Sequence, residues 1–288
     1  MHVRFFGVRG STPTPGPSTV RYGGNTVCVE ARLADDTIII LDAGTGLREL
    51  GKSLLKEEQE RAGGVRPRTL HQLLTHVHWD HIIGLPFFGP IWKKDTHLKI
   101  YPLANAEHEK AGRHRVLFDG VHFPVRAADI PAKLEFCAMT EVEWRIGSAT
   151  VRRIALNHPG GCQGFRIDDD GGASFAYLTD NELSATSEGA TSAAELARFI
   201  DGAQLVVHDA QYVDDDMPQK RGWGHSTVND ALELGKLAQV PHLVLFHHEP
   251  ERDDDELDAL GHSANAWLRE HAPACRVTVA REGWDVEI

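Results

Sequence analysis

Thr75-His76-Val77-His78-Trp79-Asp80-His81 gathers three imidazoles and a carboxylate within a few positions. The run follows residues 70–74, which read as a buried strand. On an extended backbone His76 and His78 project to one side. Asp80 and His81 follow where the chain turns into its next element. Neutral imidazole and carboxylate donors suit Zn²⁺, and also Mn²⁺ or Fe²⁺. So short a stretch cannot bring all four groups to one tetrahedral ion, because adjacent Asp80 and His81 diverge from the first pair. Two ions sharing the segment is the natural arrangement. The alternative, a polar loop of ordinary histidines, is costly, since this many titratable groups would be buried with no metal to balance them.

Outward from this run, short strand-like stretches alternate with glycine turns. Residues 3–8 form one; 27–33 and 37–41 read as a hairpin with Asp35-Asp36 in its turn. Leu47, Leu50, Leu54 and Leu55 recur at helical spacing over residues 46–61, and Gly63-Gly64 with Pro67 ends that helix. Further strands are expected at 98–101, 149–156, 164–167, 175–178, 205–208 and 242–246, and a closing one at 276–287. Helices are expected at 192–201, at 226–238 behind Ser226-Thr227 as N-cap, and at 253–271, whose acidic first turn suits the helix dipole. The pattern predicts two sheets covered by helices.

Composition narrows the function. The 288 residues carry 30 Lys+Arg against 42 Asp+Glu, a net charge of −12. A field of that sign repels polyanions, so nucleic acid is not expected as a general ligand. No apolar run reaches the ~20 residues of a membrane span, and the first residues lack the apolar core of a signal peptide. Cys28, Cys137, Cys162 and Cys275 are scattered, with no C-x-x-C; reduced thiols in a cytoplasmic protein are the simplest reading.

The H-x-H-x-D-H run resembles the hallmark of the metallo-β-lactamase superfamily. Asn157-His158-Pro159-Gly160-Gly161, Leu178-Thr179-Asp180 and Leu245-Phe246-His247-His248 resemble its later motifs, in the family's order. The resemblance implies an α/β (α+β) fold, a four-layer αββα sandwich, expected here as a single domain over 1–288. It implies that His76, His78 and His158 hold one divalent ion, that Asp80, His81 and His247 hold the second, and that Asp180 bridges them. His248 rivals His247, which is preferred because it directly follows the apolar strand. Zn²⁺ is the first expectation, with Mn²⁺ or Fe²⁺ as alternatives. Two such ions ~3.5–4 Å apart can hold a hydroxide of lowered pKa and stabilise charge on a phosphoryl or carbonyl oxygen. No Ser or Cys nucleophile is then needed, and Cys162 is a weak candidate ligand.

Trp223-Gly224-His225-Ser226-Thr227 and Val207-His208-Asp209-Ala210-Gln211 resemble the phosphodiesterase branch that includes the tRNA 3′-processing endonucleases. That resemblance makes His225 a transition-state stabiliser or general acid and Asp209 the residue that fixes its tautomer. Together with Asp80 these are the expected catalytic residues. Gly7-Val8-Arg9-Gly10-Ser11-Thr12, Gly23-Gly24-Asn25-Thr26 and Asp42-Ala43-Gly44-Thr45-Gly46 resemble the branch's opening strands and turn. Arg9 and Arg21 are candidate phosphate contacts, since guanidinium matches phosphate oxygens; a salt bridge is the other reading for each.

Residues 181–207 depart from the tRNA-processing pattern. They contain one Arg and no Lys where those enzymes carry a long basic arm. Residues 103–145, with Arg113-His114-Arg115, His122-Phe123-Pro124 and Trp144, are an insertion that reads as a lid over a small-molecule pocket or as a cover with an aromatic core. The expected activity is hydrolysis of a small phosphodiester, such as a cyclic nucleotide, by metal-bound hydroxide. The alternatives are a tRNA-processing nuclease, a carboxyl-bond hydrolase (lactone, thioester or lactam) and a non-catalytic metal-dependent sensor. A homodimer is compatible with the resemblance.

Overall fold

The computed structural model describes residues 1–60, 68–103 and 117–288. Two seven-stranded sheets carry the chain. The first contains β1 (His2–Gly7), β2 (Cys28–Arg32), β3 (Ile38–Leu41), β4 (Arg68–Leu73), β5 (Thr96–Tyr101) and β6 (Lys133–Phe136), in that order, with β14 (Asp285–Glu287) outside β1. The second runs from β7 (Glu143–Ile146) through β8 (Ala149–Leu156), β9 (Cys162–Asp169), β10 (Ser174–Leu178), β11 (Leu205–Asp209) and β12 (His242–Phe246) to β13 (Arg276–Val279). Each sheet changes character midway. β1–β2–β3 and β7–β8–β9–β10 are antiparallel, whereas β3–β4–β5–β6 and β10–β11–β12–β13 are parallel.

The helices are α1 (Leu47–Glu60), α2 (Trp79–Ile82), α3 (Ala193–Phe199), α4 (Met217–Lys220), α5 (Val228–Leu237) and α6 (Asp254–His271). Strand periodicity sorts the layers. In β3, Ile39 and Leu41 enter the core between the sheets, while Ile38 and Ile40 pack with Leu47, Leu50 and Leu54 of α1. In β12, Val244 and Phe246 face the inter-sheet core, and Leu243 and Leu245 pack among α3, α5 and α6. Strands covered on both faces read as unbroken apolar runs for this reason. The outcome is the expected helix–sheet–sheet–helix sandwich. Capping boxes start α3 (Ser192/Glu195), α5 (Thr227/Asp230) and α6 (Asp253/Glu256). Of the pair expected to cap α5, Thr227 does so, and Ser226 instead donates its hydroxyl to Asn181 O.

Two expectations change. Residues 276–287 are not one strand but two, β13 and β14, in different sheets. Gly283, at φ 76°, turns the chain between them, and the Trp284 ring stacks on Phe5 at 5.1 Å. The insertion is sheet as well as cover. Its described part adds β6 and β7 to the two sheet edges, and Leu117, Phe118, Ile130 and Ala132 are buried in the α1-side core. Phe123 meets Phe87, Trp92 and Phe118 ring to ring. Arg113-His114-Arg115 and the Gly63-Gly64/Pro67 helix stop lie outside the described residues. No helix among the described residues is long and apolar enough to cross a membrane.

Phe5 is fully buried between Phe246 and Trp284. Phe5→Ala is expected to cost about 3–5 kcal/mol, read from denaturant unfolding of the metal-free protein. Val121→Ala, at 84% exposed, should move the same midpoint by less than ~0.5 kcal/mol.

Candidate metal centre

Strands of both sheets that run in a common direction point their C-terminal ends at one place. Beyond β4 come His76, His78, Asp80 and His81; beyond β8, His158; beyond β10, Asp180; beyond β12, His247. Their side chains form two donor sets. His76, His78 and His158 make one; Asp80, His81, Asp180 and His247 make the other, with the donor atoms of each set within 4.8 Å of one another. Asp180 faces both. Its Oδ2 lies 3.6 Å from His76 Nε2 and 3.7 Å from His158 Nε2. Its Oδ1 lies 3.2 Å from His81 Nε2 and 3.3 Å from His247 Nε2.

The imidazoles are held from behind. His81 Nδ1 lies 3.0 Å from Asp42 Oδ2, His158 Nδ1 2.9 Å from Gly224 O, and His247 Nδ1 2.9 Å from Gln211 Oε1. Each of these partners accepts, so each Nδ1 carries a hydrogen and the ring turns its Nε2, the nitrogen that can ligate an ion, inward. His76 Nε2 and His81 Nε2 are buried with no hydrogen-bond partner. Lone pairs converging in this way are a poor arrangement for a protein alone and a good one for a divalent cation. Charge says the same. Burial opposes ionisation of Asp80 and Asp180, yet the surrounding imidazoles hold both carboxyls well below the usual range. Burial also opposes a charge on His81, and Asp180, Asp80 and Asp42 together overcome it. The pocket calls for positive charge, and the donor set fits the two ions that the sequence suggests.

The backbone bends to make this possible. Asp42, Asp180 and His247 have φ of 59°, 58° and 62°, a region that non-glycine residues seldom enter and that costs on the order of 1–3 kcal/mol each. Close approach also demands glycine. A Cβ on Gly44 would sit 2.3 Å from Asp80 O, and one on Gly224 (φ 89°) 2.3 Å from His158 Nδ1.

His225 lies against the cluster. Its ring centroid is 5.0 Å from that of His158 and 4.9 Å from that of His247. Asp209 Oδ2 meets His225 Nδ1 at 2.6 Å and is itself fixed by the Asn181 amide. Burial would lower the His225 pKa, but Asp209 overrides it and holds the ring at about 9. His248 does not join the cluster; it donates Nε2–H to Ala280 O at 2.8 Å, and burial pushes it down to about 3. Cys162 lies behind His76, its Sγ 3.7 Å from the ring's Nδ1 and its thiol raised by burial, outside both donor sets.

The two arginines do not fit the phosphate-contact reading. Arg9 is fully buried and donates to the carbonyls of Gly23, Glu249 and Arg252. It clamps the opening loop to the one before α6. Arg21 is spent on Asp255 and Asp258 of α6. The Gly10-Ser11-Thr12 turn serves as geometry, with Ser11 N–H donating to Asp80 Oδ2 at 2.8 Å.

Four supporting residues were not singled out as site residues in the sequence reading. Asp42 accepts from Thr75 N–H, Tyr177 O–H and His81. A carboxylate directly after an apolar strand, as with Asp180, was its signal. Gln211 is oriented by Glu249, whose carboxylate takes its Nε2–H at 2.7 Å and so turns Oε1 to His247. Glu182 accepts from Gly222 N–H and Gly224 N–H and holds the loop that supports His158. Nothing local in the sequence marks these last three.

Comparison with known proteins agrees with the architecture. The profile of the β-lactamase superfamily domain matches residues 37–248. A ribonuclease Z of Halalkalibacterium halodurans is 27% identical over 237 residues, covering 67% of this chain and 75% of that protein. The metallo-β-lactamase fold protein YhfI of Bacillus subtilis superimposes with a TM-score of 0.70 at 19% identity, covering 100% of this chain and 99% of that one. A diphosphatase from the PhnP family gives 0.67 at 18%, covering 100% and 97%. The fold is therefore that of the metallo-β-lactamases.

Gln211→Leu should weaken metal binding at the set containing His247 by about 10–100-fold, measured by chelator competition, with Gln211→Glu restoring part. In the metal-free protein the His225 ring should titrate near pH 9 by NMR. Asp209→Asn should lower that value. Because the folded pKa is raised, the pair's stabilisation is full below the unfolded value near 6.5 and fades as pH rises through about 9.

Proposed function

Because this chain belongs to the β-lactamase superfamily, we propose that it is a metal-dependent hydrolase of phosphodiesters, acting on a small diester such as a cyclic nucleotide. One observation carries the reading: Asp180 faces both donor sets, and His225, held by Asp209, stands against them. His76, His78 and His158 would hold one ion, Asp80, His81 and His247 the other, with Asp180 between. Zn²⁺ suits these donors, with Mn²⁺ or Fe²⁺ as alternatives. When bound, such ions supply a water of lowered pKa and a Lewis acid at the phosphoryl oxygen.

The protein's own groups supply the rest. Asp209 occupies one nitrogen of His225, so the other is left to face the site, and a nitrogen of that ring lies within 4.8 Å of donor atoms of His158 and Asp180. A diester gains negative charge on the way to its five-coordinate transition state. A buried imidazolium stabilises that charge and can pass its proton to the departing alkoxide. Asp209 is then a positioning residue. It fixes the ring and keeps it charged at neutral pH.

A second reading, a nuclease, is favoured by the ribonuclease Z relative, and it sets nucleic acid against the expectation from charge. Against it stand the −12 charge and the link from Asp180 to Asp209, whose regular structure before β11 is the short α3. Four unpaired thiols fit a cytoplasmic setting.

The test is hydrolysis of bis(p-nitrophenyl) phosphate by metal-free protein reconstituted separately with Zn²⁺, Mn²⁺ and Fe²⁺. Turnover with at least one ion is expected. Asp80→Ala should abolish it, and His225→Ala should lower kcat by about 10²–10⁴ while metal content is retained. Full occupancy with no turnover would turn the assignment to carboxyl-bond hydrolysis or to a sensor. Faster cleavage of a 3′-extended tRNA than of any small diester would establish the nuclease.

A further inference from the structure

A cleft of about 570 Å³ opens beside the metal centre, with His158 in its wall. Its size lies within the ~300–1,000 Å³ of small-ligand sites. Asn157 and Pro159, residues 184–190, and Arg221 and Gly222 line it. The walls are tied in place. Asn157 Nδ2 donates to Glu182 O at 3.1 Å and Thr191 O at 2.9 Å, and its Oδ1 accepts from Thr191 N–H at 2.8 Å. Leu183 N–H donates to Ser226 Oγ at 3.1 Å. Both ends of the 184–190 loop are thus fixed, and the cavity exists before any ligand arrives.

The chemistry of the lining is uneven. The Asn157 amide is spent on the walls. The Glu182 carboxylate is spent on Gly222 N–H and Gly224 N–H. Glu188 stands exposed in the loop. Arg221, the one cation among the described residues lining the cleft, makes no side-chain hydrogen bond or ion pair with a described residue. In the same lining the Ser184 hydroxyl has no hydrogen-bond partner. Both unspent groups can donate, and neither is matched by an acceptor.

We infer that this cleft is a substrate subsite for an arm of the diester that bears an oxyanion, with Arg221 as its binding group. The inference rests on the phosphodiesterase reading above and adds a substrate class to it. A diester held at the metal centre projects one ester arm past His158. An apolar or neutral arm there would leave the guanidinium in water and gain nothing from it. A phosphate or carboxylate on that arm meets the guanidinium fork, the strong pairing for such groups. In a chain of charge −12, with Glu182 and Glu188 in the same lining, an unspent arginine is the group there that attracts an anionic arm.

The test compares wild type, Arg221→Ala and Arg221→Lys, each loaded with the ion that supports turnover. The substrates are thymidine 5′-(p-nitrophenyl phosphate), its 3′-phosphate and its 3′-succinate. Wild type should favour the 3′-phosphate by about tenfold or more in kcat/KM, chiefly through KM. The preference should fall to about one in Arg221→Ala and survive in part in Arg221→Lys. A gain with the succinate of equal size would assign the subsite to carboxylates as well as phosphates. A wild-type preference near one, or the same preference in Arg221→Ala, would overturn the subsite. Calorimetric titration with thymidine 3′,5′-bisphosphate and thymidine 5′-phosphate reads binding without turnover, and the tenfold difference should again vanish in Arg221→Ala. If no diester is hydrolysed but that binding difference persists, the phosphodiesterase reading falls and the subsite stands. If turnover proceeds with no preference for an anionic arm, the subsite falls and the phosphodiesterase reading stands.

Discussion

Four carboxylates, those of Asp42, Asp80, Asp180 and Asp209, lie buried where the two sheets end. Buried carboxylates of this density are not tolerable unless positive charge stands among them. Most of what surrounds them is a response to that demand. Asp42 is answered by Thr75, Tyr177 and His81, and Asp209 by His225 and two backbone amides. Asp80 and Asp180 face the Nε2 atoms of His81 and His247, the ring nitrogens that can ligate an ion. The protein has completed the charge balance for two of the four and left it open for the other two. That asymmetry is the physical content of a metal site.

The same demand explains the strained backbone. Each sheet turns parallel where its strands approach the centre, so that several strand ends share one edge. A chain leaving such an end must place a donor within one or two residues and then turn away. Asp42, Asp180 and His247 do this in the left-handed region. The sandwich holds them there through three buried clusters that extend to the strand ends themselves. Leu41, Leu178 and Phe246 are each fully buried.

The fold and the donor residues were legible because both are local. A strand-like run that ends in apolar residues and is followed by His or Asp describes a covered strand and its end, and this chain repeats it at 70–81, 174–180 and 242–247. What was not legible depends on contacts between distant segments. Arg9 and Arg21 have the right chemistry for phosphate, yet Arg9 is drawn into carbonyls 14 to 243 positions away, and Arg21 to the first turns of α6. Gln211 and Glu249 are separated by 38 positions, and neither stands out alone. The break between β13 and β14 was missed because alternation of residue types reports a strand, not the sheet that it joins.

Division of labour between strands and loops follows from these contacts. Donors sit at strand ends, where two sheets fix them. Groups that can meet a substrate sit on loops at 184–190 and 221–225, fixed by few bonds: Asn157 to Thr191, and Glu182 to Gly222 and Gly224. Gly224 belongs to both systems. Its carbonyl sets the His158 tautomer, its amide is held by Glu182, and its neighbours on the loop are Arg221 and His225. The loop that orients a metal donor therefore also carries the cation of the cleft and the imidazolium of the site. A change in its length would disturb all three together, whereas residues 184–190, anchored at both ends and supplying no donor to either set, are free to vary. Differences in loop length between proteins of this fold should therefore concentrate in residues 184–190, and differences within residues 221–225 should be substitutions, as at Arg221, that leave the loop's length unchanged.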